Sequence, residues 1–475
     1  MFDFPSLLRE LRLTLRLAVP IVVGQVCQTL MGVTDSVMIG RIGKVPLAAS
    51  AFASSIFNFV YITGLGLLLA VSINVARAHG ARQSRECSEF LRHGMAMGLA
   101  LGVGTALLLF GVATQLHRFG QPPEVLGEVN PFFVIIAASL VPVFVFQVLK
   151  QYSEALGHPW APMVILLSAV GLNVFLNWVL IYGHLGAPAL GLAGSGWATF
   201  TARTVAALGM WWWLSRQPEV KSEWPAFAEA SASAKDTADK AAGKPGENKN
   251  PPWLAAFSTE RFREMLRFGV PAAGQWLFEA GAFSAAAIMM GWLGTTALAA
   301  HQIALSCAAF TFMFPLGLST ATSMRLSKAL GEGRRDALRA IGFGALGAGF
   351  VLMAVFATGL AVFGHAIATG FTPDPGVVAL AAQLFVVAAF FQLFDGAQVI
   401  GAAALRGLHD VKIPTAITFV AYWLVALPMG YLLAFHTALG PAGVWMGLAA
   451  GLGSAALLLG WRFHRMTLRT LRAEK

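Results

Sequence analysis

Apolar residues run along the chain in twelve stretches, each near the roughly 20 residues that a membrane-spanning helix needs. The first six lie near 15–38, 50–75, 94–116, 130–152, 161–182 and 191–214. The second six lie near 265–292, 298–324, 338–364, 377–403, 413–436 and 441–462. Several contain proline or many glycines, which membrane helices tolerate where neighbours repair the backbone hydrogen bonding. The pattern predicts an all-α integral membrane protein with twelve transmembrane helices.

The two groups of six are copies of one another. Shifted by 251 positions, Leu15, Arg16, Val19 and Pro20 fall on Leu266, Arg267, Val270 and Pro271. Gly40 and Gly43 fall on Gly291 and Gly294, and Leu47, Ala48 and Ala49 on Leu298, Ala299 and Ala300. Gly66, Leu67, Ser72 and Gly80 fall on Gly317, Leu318, Ser323 and Gly331. Six helices per copy is an even number, so both copies share one orientation, as two pseudo-symmetric six-helix lobes related by an axis along the membrane normal. The expected organisation is an N-terminal lobe over 1–214, a linker over 215–262 and a C-terminal lobe over 263–475. The middle of that linker, Glu229 to Pro252, is rich in Ala, Ser, Lys, Asp and Gly. Such a composition cannot bury a core, so a largely disordered cytoplasmic segment is expected.

Composition agrees with the pattern and narrows it. Hydrophobic residues make up 57% and charged residues 12%, about half the charged fraction of a soluble domain, and mean hydropathy is +0.68. The formal charge of +10 is read as basic cytoplasmic loops rather than nucleic-acid binding. Lys and Arg gather in alternate segments: Arg9, Arg12 and Arg16; Arg77, Arg82, Arg85 and Arg92; Arg325, Lys328, Arg334, Arg335 and Arg339; Arg406 and Lys412; and the C-terminal run from Arg462. The intervening loops hold only Arg41, Lys44 and Arg118. Both termini are therefore expected in the cytoplasm. No cleavable signal peptide is evident. The widely spaced Cys27, Cys87 and Cys307 form no CxxC pair or disulfide framework. The histidines show no HExxH spacing, and no GxSxG or phosphate-cradling loop is present. An enzyme is not expected, nor is a cofactor.

A charge at bilayer depth costs at least about 2.5–3.5 kcal/mol on insertion scales, so intramembrane acids are functional candidates. Three stand out: Asp35, Glu279 and Asp395. At 1.5 Å per residue, Glu279 lies about 18 Å beyond Arg267 and Asp395 about 16 Å before Arg406, one shared level in the second lobe. Asp35 lies about 28 Å beyond Arg16, and Asn177 lies equally far beyond His158. Asn173 and Asn177, four apart, share a helix face, so Asp35, Asn173 and Asn177 can meet in the first lobe. Gln28 is the repeat counterpart of Glu279. A buried carboxylate either takes a proton or holds a cation, and two at one level repel each other and favour both. The same pair attracts a lipophilic organic cation, which the faces of Trp276, Phe278, Phe283, Phe390, Phe391 and Phe394 can stabilise by roughly 0.5–2 kcal/mol each. Lys150 and Glu154 read as an interfacial pair, and Arg203 carries no assigned role.

Several segments resemble the MATE (multidrug and toxic compound extrusion) family, in particular its NorM-type bacterial branch. They are Pro20 to Gly40, Gly171 to Gly183, Ala299 to Leu305 (AAHQIAL), Phe312 to Leu318 (FMFPLGL) and Phe391 to Asp410. The resemblance spans nearly the whole chain outside the linker. It implies a monomeric, multi-pass protein of the bacterial inner membrane, surrounded by lipid, that exports organic cations or drugs by antiport against Na⁺ or H⁺. It implies that Asp35 is the essential first-helix acid, that Asn173 and Asn177 are its fifth-helix partners, and that Glu279 and Asp395 bind the coupling cation. The family often carries tyrosine where this chain has Phe391, which offers no hydroxyl. A flippase for a lipid-linked saccharide is the alternative; it would call for a basic cavity, whereas the intramembrane charges here are mostly acidic.

Overall fold

The computed structural model describes residues 4–119, 122–217 and 257–472. The middle of the expected linker lies outside the described residues. Twelve long helices account for nearly everything described. The first six are α1 (Phe4–Gly40), α2 (Lys44–Gly80), α3 (Ser84–Ala113), α4 (Pro123–Ala155, interrupted at Ser139), α5 (Trp160–Tyr182) and α6 (Gly191–Ser215). The second six are α7 (Thr259–Trp292), α8 (Thr295–Gly331), α9 (Ala337–Phe371), α10 (Pro375–Gly407), α11 (Lys412–Phe435) and α12 (Pro441–Arg472). Ten of these are long and apolar enough to cross a membrane. The two that fall short are α6, which carries Thr199 and Arg203, and α7, which carries Gln275 and Glu279.

Most helices run past the apolar stretches that announce them. α1 begins at Phe4 rather than near 15, and α3 at Ser84 rather than near 94. Hydropathy marks the part of a helix that suits hydrocarbon; the backbone goes on bonding beyond it until a breaker intervenes. The breakers are local. Gly43 and Gly294, one repeat apart, take φ of 153° and 119° at the turns into α2 and α8, a region that side chains with a Cβ seldom enter. Asp374 caps α10, accepting from the backbone N–H of Gly376 at 2.8 Å and Val377 at 3.1 Å, with Pro375 in the first turn.

By packing, the chain divides into two compact units: residues 30–270, and residues 1–29 together with 271–475. These do not coincide with the sequence repeats. The division falls inside α1, between Thr29 and Leu30, and inside α7, at Pro271, which leaves a gap in that helix's backbone bonding.

In the unit that contains residues 271–475, the arm of α1 before residue 30 packs on helices of the second repeat. Ala18 and Ile21 join Leu316, Leu318, Ala345 and Ile400 in one apolar cluster. A Cβ on Gly317 would sit 2.4 Å from Val22, so only glycine admits this approach. Glu10 pairs with both Arg325 and Arg334. Arg325 also donates to the Glu10 carbonyl at 2.5 Å and to Thr14 at 3.1 Å.

In the unit formed by residues 30–270, the start of α7 packs on α2 and α3. Gly269 closes on Leu67, whose carbonyl a Cβ would meet at 2.3 Å. Arg261 reaches Glu86 at 3.1 Å, Glu89 at 3.3 Å and Glu264 at 3.2 Å, and Arg77 reaches Glu264 at 3.2 Å. The charge pattern is inverted between the arms: the acid Glu10 seats one, and its repeat counterpart Arg261 seats the other.

Candidate functional site

In the unit of residues 30–270, Asp35 is the centre of a polar cluster drawn from three helices. Its neighbours on α1 turn inward on their own backbone: Thr34 donates to the Leu30 carbonyl and Ser36 to that of Gly32, both at 2.9 Å. Asp35 instead reaches across. Asn177 Nδ2 donates to Asp35 Oδ1 at 2.5 Å and Thr199 Oγ1 donates to Oδ2 at 3.3 Å. Asn173 donates to Thr199 at 3.2 Å and accepts from Asn177 at 3.2 Å. Asn173 and Asn177 are fully buried, so the α5 face that their spacing predicts is turned onto Asp35. Asn177 Oδ1 has no hydrogen-bond partner among the described residues.

Arg203, one turn along α6 from Thr199, now has a place. It donates to Ser139 Oγ at 2.6 Å, at the buried interruption in α4, and its guanidinium lies 5.0 Å from the centre of the Phe57 ring. It also lies in the electrostatic field of Asp35. Thr199 and Arg203, four apart, form the α6 face of this cluster; their spacing was the available sequence signal. Lys150 and Glu154 do pair, at 3.9 Å, in the last turns of α4, with both side chains buried in the protein.

The unit of residues 1–29 and 271–475 gathers a second cluster. Glu279 on α7 and Asp395 on α10 are close enough to act on one another electrostatically, as their depths predict. Arg406 belongs here too. Sequence position assigned it to a basic loop, yet it lies in the last turn of α10, 5% exposed, within the field of Glu279. It donates to Gln275 Oε1 at 2.9 Å, and Gln275 Nε2 donates to Thr418 Oγ1 at 3.2 Å. A helix that runs on past its apolar stretch carries its basic residue into the protein, which hydropathy alone does not reveal.

Asp395 Oδ1, both amide atoms of Gln392 and of Gln398, and the Tyr422 hydroxyl are buried without a hydrogen-bond partner among the described residues. Phe391 is buried in the apolar core, edge-on to Phe283 at 6.0 Å and to Trp445 at 5.3 Å. Phe283 is also edge-on to Tyr422 at 6.2 Å. Trp276 packs against the cluster formed by Ala18, Ile21 and Leu316, Phe394 is 39% exposed, and Gln28 is half-buried on α1. Among the described residues no group of three or more His, Cys, Asp or Glu side chains gathers as a metal site. A cation held at Glu279 and Asp395 would therefore draw its further oxygens from neutral side chains.

Helical architecture, internal duplication and buried carboxylates in polar networks define a multi-pass membrane transporter, and comparison with known proteins gives its family. The MatE family pattern matches residues 20–179 and again 271–432, two starts separated by the same 251 positions as the repeat. The chain belongs to the MatE family. It is 37% identical over 469 residues to the probable multidrug resistance protein NorM of Rhodopseudomonas palustris, covering 96% of this chain and 92% of that one. It is 34% identical over 478 residues to the multidrug resistance protein NorM of Burkholderia vietnamiensis, covering 99% and 97%.

Among solved structures, a MATE protein in a bent conformation superposes with a TM-score of 0.85 at 19% identity, over 100% of this chain and 99% of that one. A transporter of the MOP superfamily from Pyrococcus furiosus, described as having a binding pocket of reversed polarity that suggests a different function, superposes at 0.83 with 20% identity, over 99% of each chain.

Proposed function

We propose that this protein exports lipophilic organic cations across the bacterial inner membrane in exchange for Na⁺ or H⁺, with Asp35 and the Glu279/Asp395 pair as the groups that bind the coupling cation. Multidrug efflux is the activity that its relatives' names carry. The family is one of transporters rather than enzymes. The two sequence repeats, 1–214 and 263–475, are the lobes of this transporter, and the excess of Lys and Arg in alternate loops puts both termini in the cytoplasm. The working form is a monomer in lipid.

One observation supports the chemistry above the others. Each buried cluster sets carboxylates against a single arginine: Asp35 with Arg203, and Glu279 and Asp395 with Arg406. In formal charge the first cluster balances and the second holds one acid in excess. A buried excess charge is costly, so the second cluster gains by taking up a proton, a metal cation or a cationic drug. These occupants compete for one deficit of positive charge. Binding of the inward-moving cation removes the attraction that holds the drug, which leaves to the outside; the neutralised protein then returns. Asn177 and Thr199 hold Asp35 in position for the same exchange in the other cluster.

A saccharide flippase, the other reading of the same fold, would need surplus positive charge for a pyrophosphate, and neither cluster offers it. The test is efflux of a fluorescent organic cation from proteoliposomes under an opposing Na⁺ gradient at constant pH, and then under a pH gradient without Na⁺. Efflux under one gradient identifies the coupling ion; none under either would overturn the proposal. Asp35→Asn should insert normally and abolish export, and full transport by that variant would remove Asp35 from the mechanism.

A further inference from the structure

Tyr422 is one of five tyrosines in the chain. Its side chain is fully buried, and its hydroxyl has no hydrogen-bond partner among the described residues. Burying a hydroxyl without a partner is unfavourable, because the water it gives up is not replaced. A phenylalanine at this position would avoid that cost and fill nearly the same volume, so packing does not explain the oxygen.

The backbone around it is unusual as well. α11 widens into a π-helix over Val420–Ala426, and the Leu427 N–H bonds to the Tyr422 carbonyl, five residues back. Pro428, just beyond, cannot donate and would crowd the carbonyl four residues earlier in a regular helix. Widening by one residue accommodates it, and such turns recur at functional positions. The distortion is held in place by α12: Cβ atoms on Gly447 and Gly451 would lie 2.7 Å from the Ala426 carbonyl and 2.6 Å from that of Ala421. Glycine at both positions lets α12 close on the π segment and fix the direction of Tyr422.

Its ring meets Phe283, one turn along α7 from Glu279, and Phe283 in turn meets Phe391, one turn before Asp395 on α10. Tyr422 lies in the electrostatic field of both Glu279 and Asp395. The ring at 391, the other aromatic in contact with Phe283, has no oxygen to give. Two carboxylates alone are a sparse shell for a hard cation, which gathers several oxygen ligands.

We propose that the Tyr422 hydroxyl is a direct ligand of the coupling cation at the Glu279/Asp395 pair, taking the position that a hydroxyl at residue 391 would otherwise supply. Toward Na⁺ its oxygen coordinates. Toward a proton it hydrogen-bonds to the carboxyl that carries it. This rests on the reading of Glu279 and Asp395 as a coupling site.

The experiment is a titration of ethidium efflux in proteoliposomes against the cation that drives the wild type, Na⁺ or H⁺, for Y422F, F391Y, the double variant and E279Q. Losing one hydrogen bond or oxygen contact to a charged centre predicts that Y422F needs about tenfold more cation for half-maximal efflux, with the saturating rate close to wild type. Y422F/F391Y should recover most of that shift. Unchanged cation dependence in Y422F, with an equal or higher unfolding midpoint, overturns the proposal, because a hydroxyl that merely fills space predicts both.

F391Y alone provides a check that does not depend on the folding of Y422F. If Tyr422 already supplies the oxygen, F391Y changes the dependence little; if it supplies none, F391Y tightens the dependence about tenfold. E279Q separates the two levels of the argument. Wild-type cation dependence in E279Q removes the coupling site itself, whereas loss of coupling in E279Q beside a normal Y422F removes only the role of Tyr422.

Discussion

Replacing Glu10 with alanine is the sharpest test of how the arm of α1 is seated. The carboxylate lies 6% exposed between Arg325, 13% exposed, and Arg334, 43% exposed. The two pairs differ in what they contribute. Arg334 is wet enough that its pair is worth about 0.2–1 kcal/mol. Arg325 is dry, and removing its counter-ion leaves a buried guanidinium held only by the Glu10 carbonyl and Thr14. Breaking such a pair from one side costs about 3–5 kcal/mol. Glu10→Ala should therefore lower the unfolding midpoint in detergent far more than Arg334→Ala does. A thiol-reactive dye is a suitable reporter, because Cys27 and Cys87 are buried in the folded protein. Variants are compared at one heating rate, since unfolding of such a protein is governed by kinetics. Salt should leave the Glu10 effect largely intact, while the more exposed network around Arg261 weakens in high salt. Equal midpoints for Glu10→Ala and Arg334→Ala would refute the reasoning, and so would a large loss in both that salt abolishes.

Asn177→Ala removes a direct hydrogen bond to Asp35, a contact worth roughly tenfold in any step that uses the carboxylate. Asn173 acts on Asp35 more weakly than Asn177 does, its own hydrogen bonds going to Thr199 and Asn177, so Asn173→Ala should slow initial efflux from everted vesicles less; the reverse order would refute this geometry. Gly447→Leu drives a side chain into Gly430, whose backbone nitrogen would lie 2.3 Å from the new Cβ, so the variant should fail to accumulate in the membrane. Gly104→Ala meets nothing within 4 Å and should accumulate like the wild type.

Twelve helices, the duplication and the acids and asparagines of the two clusters were legible in the sequence, because each follows from a short-range rule. Apolar runs mark spans, and rise per residue puts Glu279 beside Asp395. A four-residue spacing puts Asn173 and Asn177 on one face toward Asp35. What escaped depends on which helix lies against which. Nothing in the neighbourhood of Arg406 distinguishes a loop arginine from one carried into the protein at the end of a long helix. The orphan hydroxyl of Tyr422 exists only once Phe283 and the surrounding core bury it. The seating of the α1 and α7 arms is invisible for the same reason: the sequence repeat divides the chain between α6 and α7, while the packing divides it inside two helices.

That seating imposes an order on how the protein can be made. The arm of α7 meets α2 and α3 as soon as it leaves the ribosome, since Arg261 follows Glu86 by 175 residues, and residues 30–270 then have everything their own core requires. The arm of α1 is synthesised first and waits for its partners, because Arg325 follows Glu10 by 315 residues. At translation speeds of about 5–20 residues per second, the arm waits roughly a quarter of a minute to a minute with its acid unpaired. The beginning of the chain is thus fastened late, and its seat is complete only when α10 brings Ile400 to the cluster around Ala18 and Ile21.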